Sequence, residues 1–247
     1  MGQVRHFITI TEEIKNHLQF LAESGCPGFD CSKESLEIIR HWGKRVSPRG
    51  HQTRAILSEN LEAIRKNLGD CRRCKLSHSR THIVFGSGNP KARLVFVGDA
   101  PGYDEDSGGE PFAGASGELL TKIIQAMKLS REQVYLCNIV KCRPPGTRDP
   151  EPGEIRICLP FLKRQLKAVS PEFVCTLGTL AAQTLLETTE PLSTLRGRFY
   201  DCMGFKLIPT YHPEDILREK DNLPEYNRLR GSVWEDVKRV MKGLGID

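Results

Sequence analysis

The chain has 247 residues, a net charge of +5, 38% hydrophobic residues and 27% charged residues, a composition typical of a globular protein with one large or two small domains. It contains no apolar run near the ~18 residues that a membrane-spanning helix needs. Its first residues lack the basic and apolar segments of a signal peptide, so secretion is not expected. Nine cysteines in such a chain indicate reduced thiols or metal ligands, and we expect a cytoplasmic protein.

The first part of the chain predicts an N-terminal extension, helical or irregular, over residues 1–52. Apolar residues recur at helical spacing over 9–23, and a short helix is expected near 35–42. A further amphipathic helix is predicted over 53–68, where the main domain begins.

From residue 93 onward the pattern becomes strand, loop and helix, repeated. Strands are predicted at 93–98, 133–141, 172–178 and 205–212, and helices at 117–127, 152–169, 179–186 and 233–244. Apolar strands alternating with helices are typical of a parallel sheet covered on both faces. Residues 53–247 therefore predict an α/β domain with three α/β/α layers around a mainly parallel, four-stranded sheet.

Unusual residues follow the carboxyl end of each predicted strand. They are the run Gly98 to Gly102, Asn138, the pair Leu177 and Gly178, and the run Tyr211 to Pro213. Ligands of open α/β sheets bind at this edge, so these residues are expected to converge on one site.

Four cysteines are spaced as two distant pairs. Cys71 and Cys74 are separated by two residues, whereas Cys142 and Cys158 bracket a proline-rich loop further along the chain. The separation is too wide for a local zinc finger, whose ligand pairs lie ~12–20 residues apart. Four thiolates can hold a [4Fe–4S] cluster; zinc is the alternative, because sulfur ligands alone do not select the metal.

Charge is distributed unevenly around the first cysteine pair. Residues 63–93 contain eight Lys or Arg residues and the single acid Asp70, whereas residues 98–110 contain five acids and no base. The basic run suits a polyanion such as DNA, although a simple solvated face is an equally good interpretation.

Several ordered motifs together resemble the family-4 uracil-DNA glycosylases, the iron–sulfur branch of the uracil-DNA glycosylase superfamily. They are GDAPGYDEDSGGEPFAGASGELL (98–120), VYLCNIVKCRPPGTRDPEPGEIRIC (134–158), TLG (176–178), RGR (196–198), PTYHPEDILR (209–218) and CRRCKL (71–76). The resemblance covers about residues 55–243 and leaves residues 1–50 outside. It implies a monomeric, monofunctional enzyme of base-excision repair that hydrolyses the N-glycosidic bond of uracil in DNA and leaves an abasic site. It also implies a [4Fe–4S] cluster on Cys71, Cys74, Cys142 and Cys158.

The resemblance assigns three residues to the uracil base, which must leave the duplex to be reached. Phe112 corresponds to the aromatic residue on which uracil stacks, and Asn138 to the amide that reads the uracil edge. His212 corresponds to the donor that meets the uracil O2 as negative charge develops there.

The acids of the first motif are expected to act on the sugar or the water. The family usually has Glu where this chain has Asp99, which we expect to position water or stabilise the sugar cation, with Glu105 assisting. The backbone at Ala100 and Gly102 is expected to contact the base or the sugar, because glycine allows a close approach.

Further residues are expected to bind the DNA strand. Lys141, Arg143 and Arg148 would face the phosphate backbone, Ile216 or Leu217 would fill the gap left by the extruded base, and Arg218 would bind phosphate. Two alternatives to the enzyme stay open at this point. One is an iron–sulfur DNA-binding module that recognises uracil or damaged bases with little or no turnover, and the other is an electron carrier or redox sensor.

Overall fold

The structure is a computed structural model, and it describes residues 59–246. The predicted extension over residues 1–52, the boundary at 52/53 and the first part of the helix predicted over 53–68 lie outside the described residues and stay predictions.

A six-stranded sheet forms the centre of the domain, with strand order β1-β3-β2-β4-β6-β5. The strands are β1 (Ser87–Gly88), β2 (Leu94–Gly98), β3 (Tyr135–Asn138), β4 (Phe173–Leu177), β5 (Tyr200–Cys202) and β6 (Phe205–Thr210). The four inner strands are parallel, whereas β1 and β5 pair antiparallel at the two edges. The predicted parallel sheet of four strands is therefore confirmed, with two short edge strands added.

Eight α-helices accompany the sheet within residues 59–246. They are α1 (Leu61–Leu68), α2 (Tyr103–Gly108), α3 (Gly114–Ala126), α4 (Pro152–Val169), α5 (Thr179–Leu186), α6 (Leu192–Leu195), α7 (Pro213–Arg218) and α8 (Leu223–Leu244). None of them is both long and apolar enough to cross a bilayer.

The predicted helix boundaries agree best with the observed ones where a proline or a glycine marks the start of the helix. The helices α4 and α5 have the predicted bounds, since Pro at N1 begins α4 and the left-handed Gly178 precedes α5. In contrast, α8 begins ten residues before the predicted start. Its first turns carry few apolar residues, of which Leu223 is exposed and Leu229 is buried. The short helices α2 and α6 were not predicted.

Alternate residues of the central strands face opposite sides of the sheet, so the domain has two core layers. Leu94 and Phe96 of β2 pack with residues of α3 and α8 on one face. Val95 and Val97 pack with residues of α4 and α5 on the other. These clusters confirm the three-layer α/β/α architecture.

The register places the strand ends at one edge. Gly98 of β2 is paired with Asn138 of β3, and Leu177 of β4 is paired with Thr210 of β6. The loops that leave these four strands therefore start side by side.

Candidate functional site

Gly98 is packed closely against two side chains of the candidate site. A Cβ atom at Gly98 would lie 2.5 Å from Oδ1 of Asn138 and 2.8 Å from Cζ of Phe112. The rings of Phe112 and His212 are stacked at an interplanar angle of 30°, with centroids 6.1 Å apart. The structure thus brings Phe112, Asn138 and His212 together at the carboxyl edge of the sheet.

Phe112 is buried and adopts a left-handed backbone with a φ of 54°, which costs a non-glycine residue energy unless its surroundings impose it. Its N–H donates to Glu105. A Cβ atom at Gly117 would lie 1.7 Å from its carbonyl oxygen, so only glycine fits there. The Phe112 ring is therefore held in one place by the loop around it.

Arg131 is a residue of this site that the sequence analysis missed. Its guanidinium donates to the carbonyl of Pro111 at 2.9 Å, to the carbonyl of Phe112 at 3.3 Å and to Oγ1 of Thr121 at 3.1 Å. The segment REQ around it has no pattern that points to a site. Arg131 clamps the strained loop from the side opposite Glu105.

Glu105 is 7% exposed and holds three parts of the site. Its carboxylate accepts from the N–H of Gly102 at 2.5 Å, from the N–H of Phe112 and from Nδ2 of Asn138 at 3.3 Å. Burial raises the pKa of this carboxyl group, and these three hydrogen bonds oppose the shift. The Gly102 N–H is occupied by this contact.

Asn138 ends β3 with its amide oriented by Glu105. One N–H of Nδ2 is directed to Oε1 of Glu105, and Oδ1 faces the backbone of Gly98. The second N–H of Nδ2 and the lone pairs of Oδ1 give this amide both a donor and an acceptor for a ligand.

Asp99 lies at the N-terminus of α5, where its Oδ1 accepts from the N–H of Ala181 at 2.7 Å. Burial raises the pKa of Asp99 to about 7, the nearby carboxylates of Asp149, Asp215 and Glu214 add to the rise, and the Ala181 hydrogen bond opposes it. Asp99 therefore changes protonation near neutral pH, which suits a general base.

His212 precedes α7, and the backbone around it fixes its tautomer. Nδ1 accepts from the N–H of Glu214 at 3.1 Å, so a neutral ring carries its proton on Nε2. Burial lowers the pKa of His212, and the Asp215 and Glu214 carboxylates oppose that change. The ring is thus a neutral donor through Nε2.

The end of β6, just before His212, is held by a buried ionic network. Asp236 is fully buried and accepts from Oγ1 of Thr210 at 2.7 Å and from Arg196 at 3.0 Å. The guanidinium of Arg196 also lies 5.5 Å from the centre of the Tyr211 ring. The RGR motif therefore supports the strand end that carries His212.

The arginines predicted to bind DNA differ in whether they already pair with acids of the protein. Arg143 lies 5.2 Å from the centre of the Tyr103 ring, which is 68% exposed. Arg148 makes a double hydrogen bond to Glu154, and Arg218 pairs with Glu214 and Asp215. Both arginines are therefore partly neutralised by acids of the protein.

Two residues expected to face DNA are buried instead. Ile216 is 1% exposed and belongs to the core between α3 and α8, so it cannot enter a duplex from this position, whereas Leu217 is half-buried. Lys141 is also 1% exposed, and its Nζ donates to the carbonyl of Asn138 at 2.7 Å. Ala100 is half-buried against the core.

The four predicted metal ligands lie near one another. The Cys142 thiol lies close enough to Cys158 and Cys74 to interact with them electrostatically. The Cys158 thiol interacts in the same way with Cys74 and Cys71. Arg73 donates to Sγ of Cys71 at 3.2 Å, and Arg80 donates to Sγ of Cys142 at 3.6 Å. Two guanidinium groups thus already contact the sulfur atoms. Burial nevertheless raises the pKa of the Cys142 and Cys158 thiols, and Arg80 opposes that rise at Cys142.

Within residues 59–246, no three His, Cys, Asp or Glu side chains are arranged so as to hold one metal ion.

Comparison with known proteins agrees with the geometry. The family model described as the uracil DNA glycosylase superfamily matches residues 85–238. The chain is 40% identical over 196 residues to a type-4 uracil-DNA glycosylase of Saccharolobus solfataricus, covering 75% of this chain and 87% of the relative. It is 43% identical over 177 residues to a type-4 uracil-DNA glycosylase of Archaeoglobus fulgidus, covering 68% and 88%. A type-4 uracil-DNA glycosylase of Thermotoga maritima is 38% identical over 184 residues, with 74% and 93% covered.

The raised pKa of Asp99 predicts a pH-dependent stability that Asp99→Asn removes. Because the folded pKa of about 7 lies above the ordinary aspartate value of 3.8, the contribution of Asp99 to the free energy of unfolding is fully present below about pH 4. It is lost as the pH rises to about 7. At pH 8 the Asn variant should be more stable than the wild type by at most ~4 kcal/mol.

Chemical denaturation at pH 5 and at pH 8 measures this difference, and Asp201→Asn, at an exposed acid, is the matched control. An Asn variant whose advantage does not grow with pH would show that the Asp99 carboxyl group is not desolvated.

Proposed function

The chain belongs to the uracil DNA glycosylase superfamily and is related to its type-4 members, and we propose that it hydrolyses the bond between uracil and deoxyribose in DNA. The product is an abasic site, as in the first step of base-excision repair. The observation that carries the proposal is the meeting of Phe112, Asn138 and His212 around Gly98. Asp99, the next residue after β2, supports it further, because its carboxyl group is held at the first turn of α5.

Recognition of the base is assigned to Phe112 and Asn138. Phe112 offers a ring face that is fixed before the ligand arrives, and stacking of a base on an aromatic ring is worth ~1–3 kcal/mol. Asn138 reads the uracil edge with the N–H and the oxygen that Glu105 leaves free. Glu105 acts through these two residues, so it is a positioning residue, whereas the resemblance had it assisting in the chemistry.

Stabilisation of the leaving uracil is assigned to His212. Breaking the glycosidic bond leaves negative charge on uracil, and a neutral imidazole that donates through Nε2 stabilises this charge at O2. The Glu214 N–H at Nδ1 keeps the proton on the side that the reaction needs. Since burial lowers its pKa, the ring stays neutral at physiological pH.

Asp99 acts on the deoxyribose, the fragment that becomes cationic as uracil leaves. An ionised carboxylate stabilises the cationic sugar and accepts a proton from the attacking water, and a pKa of about 7 gives a fraction of the active form at neutral pH. The shorter side chain, relative to the family's usual Glu, lies against α5 and is bound to its first turn.

The DNA strand is expected to meet Arg143 and the exposed Tyr103 on one side of the site and Leu217 on the other. Arg148 and Arg218 can bind phosphate only by sharing or breaking their ion pairs with Glu154, Glu214 and Asp215. We therefore assign the larger share of phosphate binding to Arg143. In the basic run over 63–93, four bases are themselves paired with acids: Arg72, Lys75, Arg80 and Arg93.

The cofactor proposed for Cys71, Cys74, Cys142 and Cys158 is a [4Fe–4S] cluster. Two observations support this assignment. The thiols lie close enough together to interact electrostatically, and Arg73 and Arg80 donate hydrogen bonds to the sulfur atoms of Cys71 and Cys142. When bound, the cluster would serve as a structural link between the segment after α1 and the loop over 143–157. Zinc on the same thiols is the alternative, and the metal content of the purified protein separates the two. We further expect a monomer in the cytoplasm.

His212 provides the first test of this function. The wild type should convert a uracil-containing oligonucleotide into alkali-labile abasic sites, and His212→Ala should lower kcat by ~100- to 1000-fold, the usual effect of losing one such donor. His78→Ala, at an exposed histidine outside the site, should retain wild-type turnover.

A wild type that binds this oligonucleotide without forming abasic sites would identify the binding-only module instead. Wild-type turnover in His212→Ala, with unchanged folding, would refute the assigned role.

Arg131 provides a second test, because it should act only through Phe112. Arg131→Ala releases the carbonyls of Pro111 and Phe112 and should lower kcat/KM by ~10- to 100-fold, since a small misplacement at an active site is costly. In a Phe112→Ala background the same change should have almost no further effect. Arg131→Lys should restore part of the activity.

Single-turnover kinetics of the two single variants and the double variant measure this coupling. Effects that simply add would show that Arg131 supports the fold and not the position of Phe112.

A further inference from the structure

Asp106 is a buried acid that the proposed reaction does not use. It follows Glu105 in α2 and is 2% exposed. Its Oδ1 and Oδ2 accept from the N–H of Thr81 at 2.9 and 3.0 Å, and Oδ1 also accepts from the N–H of His82 at 3.4 Å. A buried carboxyl group is costly unless hydrogen bonds compensate its lost water. These contacts therefore fix Asp106 to the segment over 81–82.

The His82 side chain binds the same part of α2. Its ring Nδ1 donates to the carbonyl of Asp106 at 2.9 Å, since a carbonyl oxygen can only accept. A Cβ atom at Gly109, directly after α2, would lie 3.6 Å from Cβ of His82. The side chain and the backbone of Asp106 are thus both bound to residues of one segment.

The segment over 80–84 is also held to the region around the cysteines. The side chain of Arg80 is 7% exposed, and its guanidinium donates to the carbonyl of Cys71 at 2.7 Å and to Sγ of Cys142 at 3.6 Å. The N–H of Val84 donates to the carbonyl of Lys141 at 2.8 Å. Both ends of the segment are therefore fixed before it reaches α2.

The other contacts of α2 lead to the candidate site. Glu105 accepts from the N–H of Phe112 and from the amide of Asn138. Neighbouring residues of an α-helix point in directions about 100° apart. One turn of α2 can therefore bind the segment over 81–82 through Asp106 and the site through Glu105.

We propose that Asp106 is a positioning residue for base recognition. It fixes α2 to the segment over 80–82, so that Glu105 holds Phe112 and Asn138 in the geometry that reads uracil. The inference rests on the proposed function. It adds that the region around the cysteines supports the site through hydrogen bonds of the protein, whichever metal the thiols hold.

Asp106→Ala should lower kcat/KM on a uracil-containing oligonucleotide by ~10- to 100-fold, because a small misplacement at an active site is costly. Asp106→Asn keeps one acceptor oxygen and should lose less. Both variants should bind free uracil more weakly than the wild type. Asp104→Ala removes the same charge at an exposed position of α2 and is the matched control, with wild-type values expected.

The route through Glu105 is tested by a double-mutant cycle. In a Glu105→Ala background, Asp106→Ala should have almost no further effect, because the connection to the site is already lost. Single-turnover kinetics measures the chemical step, calorimetry measures the binding of free uracil, and chemical denaturation establishes that each full-length variant is folded in the assay. If Asp106→Ala does not fold, the same cycle is made with Asp106→Asn.

Wild-type kcat/KM in both Asp106 variants would overturn the proposal. Effects of Asp106→Ala and Glu105→Ala that simply add would also overturn it, because a general loss of stability predicts additivity. A wild type that binds free uracil but leaves the oligonucleotide intact would overturn the proposed function alone. The coupling between Asp106 and Glu105 is then decided by the uracil affinities of the same variants.

Discussion

The close packing of Gly98 against Asn138 and Phe112 is the contact on which the rest of the site depends. Gly98 is the last residue of β2, and its missing side chain leaves the space in which an amide and an aromatic ring meet. The parallel register brings Asn138 beside it, and the strained Phe112 reaches it from the loop after α2. The sheet thus supplies the position of the amide, and the loop supplies the aromatic ring beside it.

Each residue at this contact is held by groups with no direct role in the reaction. Glu105 binds both the Phe112 backbone and the Asn138 amide, Arg131 binds the loop from the other side, and Lys141 binds the Asn138 carbonyl. The Asn138 side chain is thus oriented by a buried carboxylate, and its backbone is held by a buried lysine.

The sequence was sufficient to predict the parallel sheet, two helices with their bounds and the residues that converge at its edge, because apolar strands and motif glycines carry strong local signals. It could not predict the exposure of single residues within a motif. Ile216 was expected to face DNA and Lys141 the phosphate backbone, yet both are buried. Exposure depends on how α7 and the segment after β3 pack against the rest of the domain, which is a long-range property. For the same reason Arg131, which contacts the site across the fold, gave no signal in the sequence.

Gly98→Ala tests the central contact most directly. The added methyl group would meet Asn138 and Phe112 at less than 3 Å, so one of them must move, and the account predicts a loss of about 100-fold in kcat/KM on uracil-containing DNA. Metal content should stay unchanged, and Gly231→Ala, where a Cβ meets nothing within 4 Å, should retain full activity. A Gly98→Ala enzyme with wild-type kcat/KM would contradict the account, because the amide and the ring would then not need the space that glycine leaves.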